Sequence, residues 1–220
     1  MADKIKEYWS DDIVVTYDVG RCTHAAECIR GLPSVFDAGR RPWVQPANAR
    51  AHQVAEVVLR CPTGALHFQR KDGGPAESPA GVNTVTLRGG GPLYLRGDIE
   101  LRLPDGSVVH DTRMALCRCG ASQNKPFCDN SHRLMGFDAS GQIGENKLRL
   151  VDTLDTGGKL VITPTANGSL RIEGPVTLVS ADGQTIVEGN RGFLCRCGGS
   201  QNKPFCDSTH RSIGFQAEGL

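Results

Sequence analysis

Cys117-Arg-Cys-Gly-Ala-Ser-Gln-Asn-Lys-Pro-Phe-Cys128-Asp-Asn-Ser-His132 recurs as Cys195-Arg-Cys-Gly-Gly-Ser-Gln-Asn-Lys-Pro-Phe-Cys206-Asp-Ser-Thr-His210. One copy offers the thiols of Cys117, Cys119 and Cys128 with the imidazole of His132. The other offers Cys195, Cys197, Cys206 and His210 at the same spacing. Taken to Phe137 and Phe215, 16 of 21 positions are identical, including Gln, Asn, Lys and Pro that packing alone would not keep in register. Thiolate and imidazole donors suit zinc or an iron–sulfur cluster, whereas hard cations take oxygen. The pattern implies one metal chemistry performed twice.

The duplication extends beyond the ligands. Val82–Leu87, Leu93–Arg96, Ile99–Leu103 and Val108–Leu116 read as short strands separated by turns such as Asp105-Gly106. Lys159–Thr163, Leu170–Glu173, Val176–Ser180 and Thr185–Leu194 echo them, with Asp182-Gly183 at the matching turn. Two similar β halves most simply pack as a pseudo-twofold pair. The expectation is a monomer with an internal pseudo-dimer, its repeats spanning 82–150 and 151–220.

Within each copy, the thiolates of Cys-x-Cys are close enough to chelate one iron. Cys128 and His132, like Cys206 and His210, lie one helical turn apart and can serve a second. Asp129 and Asp207 can accept local backbone donors and begin that turn. Three Cys and one His also satisfy a tetrahedral zinc, although Cys-x-Cys is tighter than the usual Cys-x2-Cys knuckle.

At these residues the chain resembles the CDGSH iron–sulfur family, the mitoNEET-like proteins. The family pattern is matched at Cys117, Cys119, Ser122, Pro126, Cys128, Asp129, Ser131 and His132, and again at Cys195, Cys197, Ser200, Pro204, Cys206, Asp207, Thr209 and His210. The resemblance implies one [2Fe–2S] cluster per copy, bound by three Cys and one His. The family's Gly after Asp is replaced by Asn130 and Ser208. Ser tolerates unusual backbone angles less well than Asn, so the second turn is expected to be altered.

Ahead of residue 71 a different pattern appears. Cys22-Thr-His-Ala25-Ala-Glu-Cys28, with a distant Cys61-Pro62, has the layout of a one-cluster bacterial ferredoxin whose middle ligand has become Ala25. Ile13–Tyr17 reads as a strand, Ala49–Arg60 as a helix and Ala65–Phe68 as a closing strand. Val54, Val57, Val58 and Cys61 lie on the helix's apolar face, and Pro62 ends it. Over residues 8–70 the chain is similar to the divergent mono-cluster ferredoxins, which implies a [3Fe–4S] cluster on Cys22, Cys28 and Cys61, or a [4Fe–4S] cluster with His24 as fourth ligand. His52, His67 and His110 stand alone, with structural roles as the default.

The fold class expected is therefore α+β: a ferredoxin-like α+β domain over 1–70, a Gly/Pro/Ser-rich linker over 71–81, and a β-rich duplicated CDGSH domain. Nine cysteines in three groups of three cannot pair off as disulfides. The polar N-terminus lacks an apolar signal region, and no apolar run approaches the roughly 20 residues that span a bilayer. A cytoplasmic, bacterial-type protein with no membrane association is expected. A net charge of +1 points away from nucleic acid. Arg88-Gly-Gly-Gly91 lacks a following helix pattern and no catalytic constellation stands out, so no enzyme is expected. The expected function is one-electron transfer with a protein redox partner. The alternatives are cluster transfer to an apo iron–sulfur acceptor, iron homeostasis, or redox sensing. Imidazole binds metal only when unprotonated, so acid is expected to loosen both His-ligated sites. Lys125 and Lys203 are candidates for tuning them.

Overall fold

The computed structural model describes residues Ile5–Leu220. The polar start of the chain, Met1–Lys4, lies outside the described residues. The chain divides into two compact units, the first ending at Ser78 and the second running Pro79–Leu220.

The first unit has a three-stranded antiparallel sheet in the order β1 (Ile5–Trp9), β2 (Ile13–Asp18), β3 (Leu66–Arg70). Between β2 and β3 lie two helices, α1 (Glu27–Gly31) and α2 (Ala51–Val58). The helix expected over Ala49–Arg60 is shorter at both ends. Arg60 and Cys61 donate instead to the carbonyls of Val57 and Val58, tightening the last turn as helix ends often do. Val54, Val57 and Val58 are buried against Ile13, Val15, Phe36 and Leu66, while Cys61 is half-buried at the edge of this core.

In the second unit, β4 (Thr84–Leu87), β5 (Leu93–Arg102) and β6 (Val108–Leu116) come from the first repeat. β7 (Leu160–Pro164), β8 (Leu170–Val179) and β9 (Ile186–Leu194) come from the second. All six form one sheet. β5 carries β6 on one edge. On the other edge it pairs first with β4, antiparallel, and then with β7, parallel. β8 repeats this: β9 lies on one edge, and β7 antiparallel and β4 parallel share the other. Each short strand thus bonds to the long strand of both repeats, and the repeats share one core rather than forming separate units. Leu93, Leu95, Ile99, Leu101 and Met114 pack with Leu160, Ile162, Leu170, Ile172 and Leu178.

The long strands were expected as two pieces each, broken at Gly97-Asp98 and Gly174-Pro175. They are continuous, and register shifts fall between Arg96 and Ile99 and between Glu173 and Val176. A bulge bends a strand without ending it, and these bulges lie where β5 and β8 change neighbours. Asn83 stitches the first crossing: its side chain accepts from the Asp98 amide at 2.8 Å and donates to the carbonyls of Gly158 and Pro175 at 2.9 and 3.0 Å. Gly174 makes the second possible. Its φ is +105°, and a Cβ there would stand 1.9 Å from the Lys159 carbonyl oxygen. Gly174→Ala is therefore expected to destabilise the unit by about 2–4 kcal/mol through strain and overpacking. Denaturant melts of the iron-loaded protein check this, and a change below about 0.5 kcal/mol would contradict it.

Candidate metal centres

Each repeated site is built on the end of a sheet strand. Cys117 follows β6 and Cys195 follows β9. Their amides donate to the carbonyls of Pro126 and Pro204 at 2.8 and 2.7 Å. The amides of Cys128 and Cys206 return to Ala115 and Phe193, each at 2.9 Å. This short antiparallel closure brings the third cysteine back beside the first. The loop between is held by Ser122 and Ser200, whose hydroxyls donate to Phe127 and Phe205 carbonyls at 2.7 Å and accept from the Asn124 and Asn202 amides. Lys125 and Lys203 hydrogen-bond the carbonyls of Ser122 and Ser200. These lysines, expected as tuning residues, staple their own loops.

The histidines ride on one-turn helices, α3 (Ser131–Leu134) and α4 (Thr209–Ser212). Asp129 and Asp207 start these turns as expected, accepting from the amides of Ser131 and Thr209 at 2.9 and 3.0 Å and from Gln123 and Gln201 at 2.7 Å. Asn130 and Ser208 share a φ of 72°, with ψ of 4° and 5°. The expected alteration at Ser208 does not occur, because the flanking bonds from the Thr209 amide to Asp207 and from the Ser208 amide to the Cys206 sulfur over-determine the turn.

In the first copy, the sulfurs of Cys117 and Cys119 lie 3.7 Å apart, and the Cys128 sulfur is 3.4 Å from His132 Nδ1. The second copy reproduces both values with Cys195, Cys197, Cys206 and His210. Two ligands on one tetrahedral metal stand about 3.4–3.8 Å apart. Each pair therefore has the spacing of two donors to one ion. Among the described residues, no three His, Cys, Asp or Glu side chains converge on one ion position. The donors are arranged two and two. Amides of Asn130, Gly199 and Ser208 donate to the sulfurs of Cys128, Cys197 and Cys206 at 3.4–3.5 Å, which favours thiolate over thiol.

Hydrogen bonding within each Cys-x-Cys pair favours one thiolate. The Cys119 thiol draws Cys117 down to about 6, and Cys195 does the same for Cys197. Burial pushes Cys128 up to about 11 and also raises Cys206. A metal replaces these protons, so loading releases them.

The two copies meet directly. Cys119 and Cys197 form an isolated antiparallel bridge. Gly120 and Gly198 follow with φ of +85° and +82°, and a Cβ on either would come within 2.5 Å of the opposite cysteine's carbonyl oxygen. Between the ligands of each pair stand Arg118 and Arg196, each only 1% exposed. Reading the residue types alone missed these arginines. Their signal was their identity in both copies of the repeat.

In the first unit, Cys22, Cys28 and Cys61 line one cavity with Ala25, Tyr17, Trp43 and Thr63. All three cysteines of the sequence pattern therefore border the same cavity. Tyr17 hydrogen-bonds Cys22, a partnership that adds to burial in raising the tyrosine's pKa. Thr63 Oγ1 lies 3.6 Å from the Cys61 sulfur. His24 is exposed and does not line this cavity. It lines an adjoining one that Cys22 and Cys28 also line, with Lys6, Tyr8 and Arg41. His67 pairs with Glu77 at 3.1 Å, and His52 and His110 are exposed.

These donor sets define an iron–sulfur protein. Residues 8–71 match the family described as divergent 4Fe-4S mono-cluster, and residues 90–133 and 167–211 match the iron-binding zinc finger of CDGSH type. The chain belongs to the CDGSH iron–sulfur family, with a divergent mono-cluster domain preceding two tandem motifs. It is similar to uncharacterized protein YjdI of Escherichia coli strain K12, 33% identical over 64 residues, which is 29% of this chain and 84% of that protein. YjdI of Escherichia coli O157:H7 matches to the same extent. No solved structure matches the chain. No helix among the described residues is long and apolar enough to cross a membrane.

The two centres differ in exposure. Cys117, Cys119, Cys128 and His132 are all buried, whereas Cys197, Cys206 and His210 are half-buried. Burial, aided by the Arg133 cation, holds the His132 pKa below its usual value. A lowered pKa keeps the imidazole neutral, and so a competent ligand, to lower pH. Absorbance from the first centre is therefore expected to survive acidification to a pH where free imidazole is already protonated, and His132→Cys should extend it lower still; loss of that absorbance near the pKa of free imidazole would refute this.

Proposed function

We propose that the protein is a one-electron carrier with three iron–sulfur clusters. In this reading each 3Cys-1His site holds a [2Fe–2S] cluster, with Cys117 and Cys119 on one iron and Cys128 and His132 on the other. Cys195 and Cys197, then Cys206 and His210, serve likewise. The two-and-two arrangement supports this over a mononuclear zinc, which needs all four donors around one ion. The halves act as a pseudo-dimer about a pseudo-twofold axis, a reading supported by the matched pairing of β5 and β8. One observation carries the functional conclusion. The sites adjoin through the Cys119–Cys197 bridge, which gives electrons a direct route between them.

The first unit serves as a ferredoxin-like domain with a [3Fe–4S] cluster on Cys22, Cys28 and Cys61. Ala25 offers no donor at the fourth position; His24, exposed on a cavity that Cys22 and Cys28 also line, is the ligand that a [4Fe–4S] cluster would use instead. Covalent connection raises the effective concentration of this domain toward the paired sites. His ligation removes one thiolate charge and raises the potential relative to an all-Cys cluster. The partner is a protein donor or acceptor, and the setting a reducing cytoplasm. No catalysed reaction is assigned. Cluster transfer to an apo acceptor is the second reading, favoured by the half-buried Cys197, Cys206 and His210.

Anaerobic purification with iron and sulfide determination should give about seven irons per chain, with a [3Fe–4S] EPR signal as isolated and two [2Fe–2S] signals after dithionite. Ala25→Cys should raise the total by about one iron and remove the oxidised-state signal. Repeated reduction and reoxidation should leave the clusters in place. Stoichiometric loss of iron and sulfide to an apo-ferredoxin, with no stable reduced state, would instead select the transfer reading. Zinc without sulfide would overturn both.

A further inference from the structure

Arg118 and Arg196, with Arg113, are the buried arginines of the second unit, and their pairing is unusual. Arg118 Nε donates to Gly91 at 3.0 Å and its Nη2 to the Arg88 carbonyl. Arg196 donates to the carbonyls of Gly168, Glu218 and Thr165 at 3.1, 2.9 and 2.7 Å. Phe137 and Phe215 stand over the two guanidinium groups at 5.4 and 5.5 Å. Carbonyls and rings orient a cation without neutralising it. Among the described residues, neither arginine is paired with a carboxylate. Arg118 Nη1 is buried with no hydrogen-bond partner, whereas the matching Nη1 of Arg196 reaches the Glu218 carbonyl.

A buried cation without a counter-ion is costly, and arginine cannot shed its charge. The groups at hand that become anionic when metal replaces their protons are the cysteines. Burial lowers the pKa of both arginines. Against this, Cys195 and Cys119 stabilise the Arg118 cation, and Cys117 stabilises that of Arg196. Each arginine thus feels a cysteine of the opposite copy, next to the seam where the neighbouring Cys119 and Cys197 bridge.

We propose that Arg118 and Arg196 are reciprocal counter-ions, each placing a fixed positive charge from one Cys-x-Cys beside the iron centre of the other copy. This rests on the iron–sulfur reading above. Reduction adds one negative charge to a centre, and a fixed nearby cation favours that state. Each arginine therefore raises the midpoint potential of the opposite centre as well as its own. The role is electrostatic positioning, and neither residue is a ligand.

The test is an EPR-monitored potentiometric titration of the full-length holoprotein in a His210→Cys background, where all-Cys ligation gives the second centre its own g-values. Arg118→Gln is expected to lower the midpoint of that second centre, reducing its reduced-to-oxidised ratio at fixed potential by about tenfold, which is 59 mV for a one-electron couple. Arg118→Lys keeps the charge and should restore most of the shift. In a His132→Cys background, Arg196→Gln should lower the first centre in the same way. A Gln variant that leaves the opposite centre unchanged overturns the inference, as does a Lys variant that falls as far as Gln. If the Gln variants fail to load iron and the Lys variants load, the charge requirement stands. If Lys fails too, the role is packing and the inference is lost. Zinc without sulfide in the parent protein refutes the iron–sulfur reading itself, an outcome distinct from unchanged midpoints in a loaded protein.

Discussion

The antiparallel contact of Cys119 with Cys197 is the constraint on which both centres depend. It brings two backbones so close that only glycine fits after each cysteine, at Gly120 and Gly198. A side chain at either would collide with a carbonyl that cannot move without displacing a ligand. The contact also explains why the repeats interlace. Because β4 and β7 each bond to both long strands, neither half can shift without breaking its partner's ladder. Two ligand sets are thereby held at a fixed mutual distance, which a pair of domains on a flexible linker would not achieve.

Holding two sets of thiolates that close has an electrostatic cost, which the proposed counter-ion role of the buried arginines would offset. Their guanidinium groups are oriented by carbonyls rather than carboxylates, so their charge stays available to the thiolates. The same reasoning accounts for the amides aimed at Cys128, Cys197 and Cys206. Hydrogen bonds to a buried anion are stronger than those between neutral groups. A site rich in them holds its cysteines as thiolates more readily than one walled only by apolar side chains.

Near-identical motifs acquire different surroundings from what flanks them. The segment after the first motif runs beside the second: Gly144 donates to Lys203, Asn202 donates to Glu145, and Arg149 bridges Arg191. Beside Cys206 and Asp207 it leaves a cleft lined by Lys147, Arg149 and Phe193. The two centres are thus unequal in burial although their ligands are superimposable in sequence.

Much of the site was legible before any coordinates. Three Cys and one His at repeated spacing, and Cys22, Cys28 and Cys61 around an alanine, follow from donor chemistry, which is local to the motif. Most strand positions in the second unit followed from alternating apolar residues and turn signals. The short elements were not legible: β1 is a mostly exposed edge strand, and α1 begins only because Ala26 takes a φ of 62°. Residue preference also misjudged Ser208, whose turn is set by its neighbours' hydrogen bonds. By itself, the sequence determined which donors exist, how they are spaced and that one set is duplicated. The tertiary structure alone decided that β4 and β7 cross between repeats, that His24 stands exposed on a cavity shared with Cys22 and Cys28, and that Arg118 is buried. Those outcomes depend on contacts between residues far apart in the chain, which no local spacing encodes.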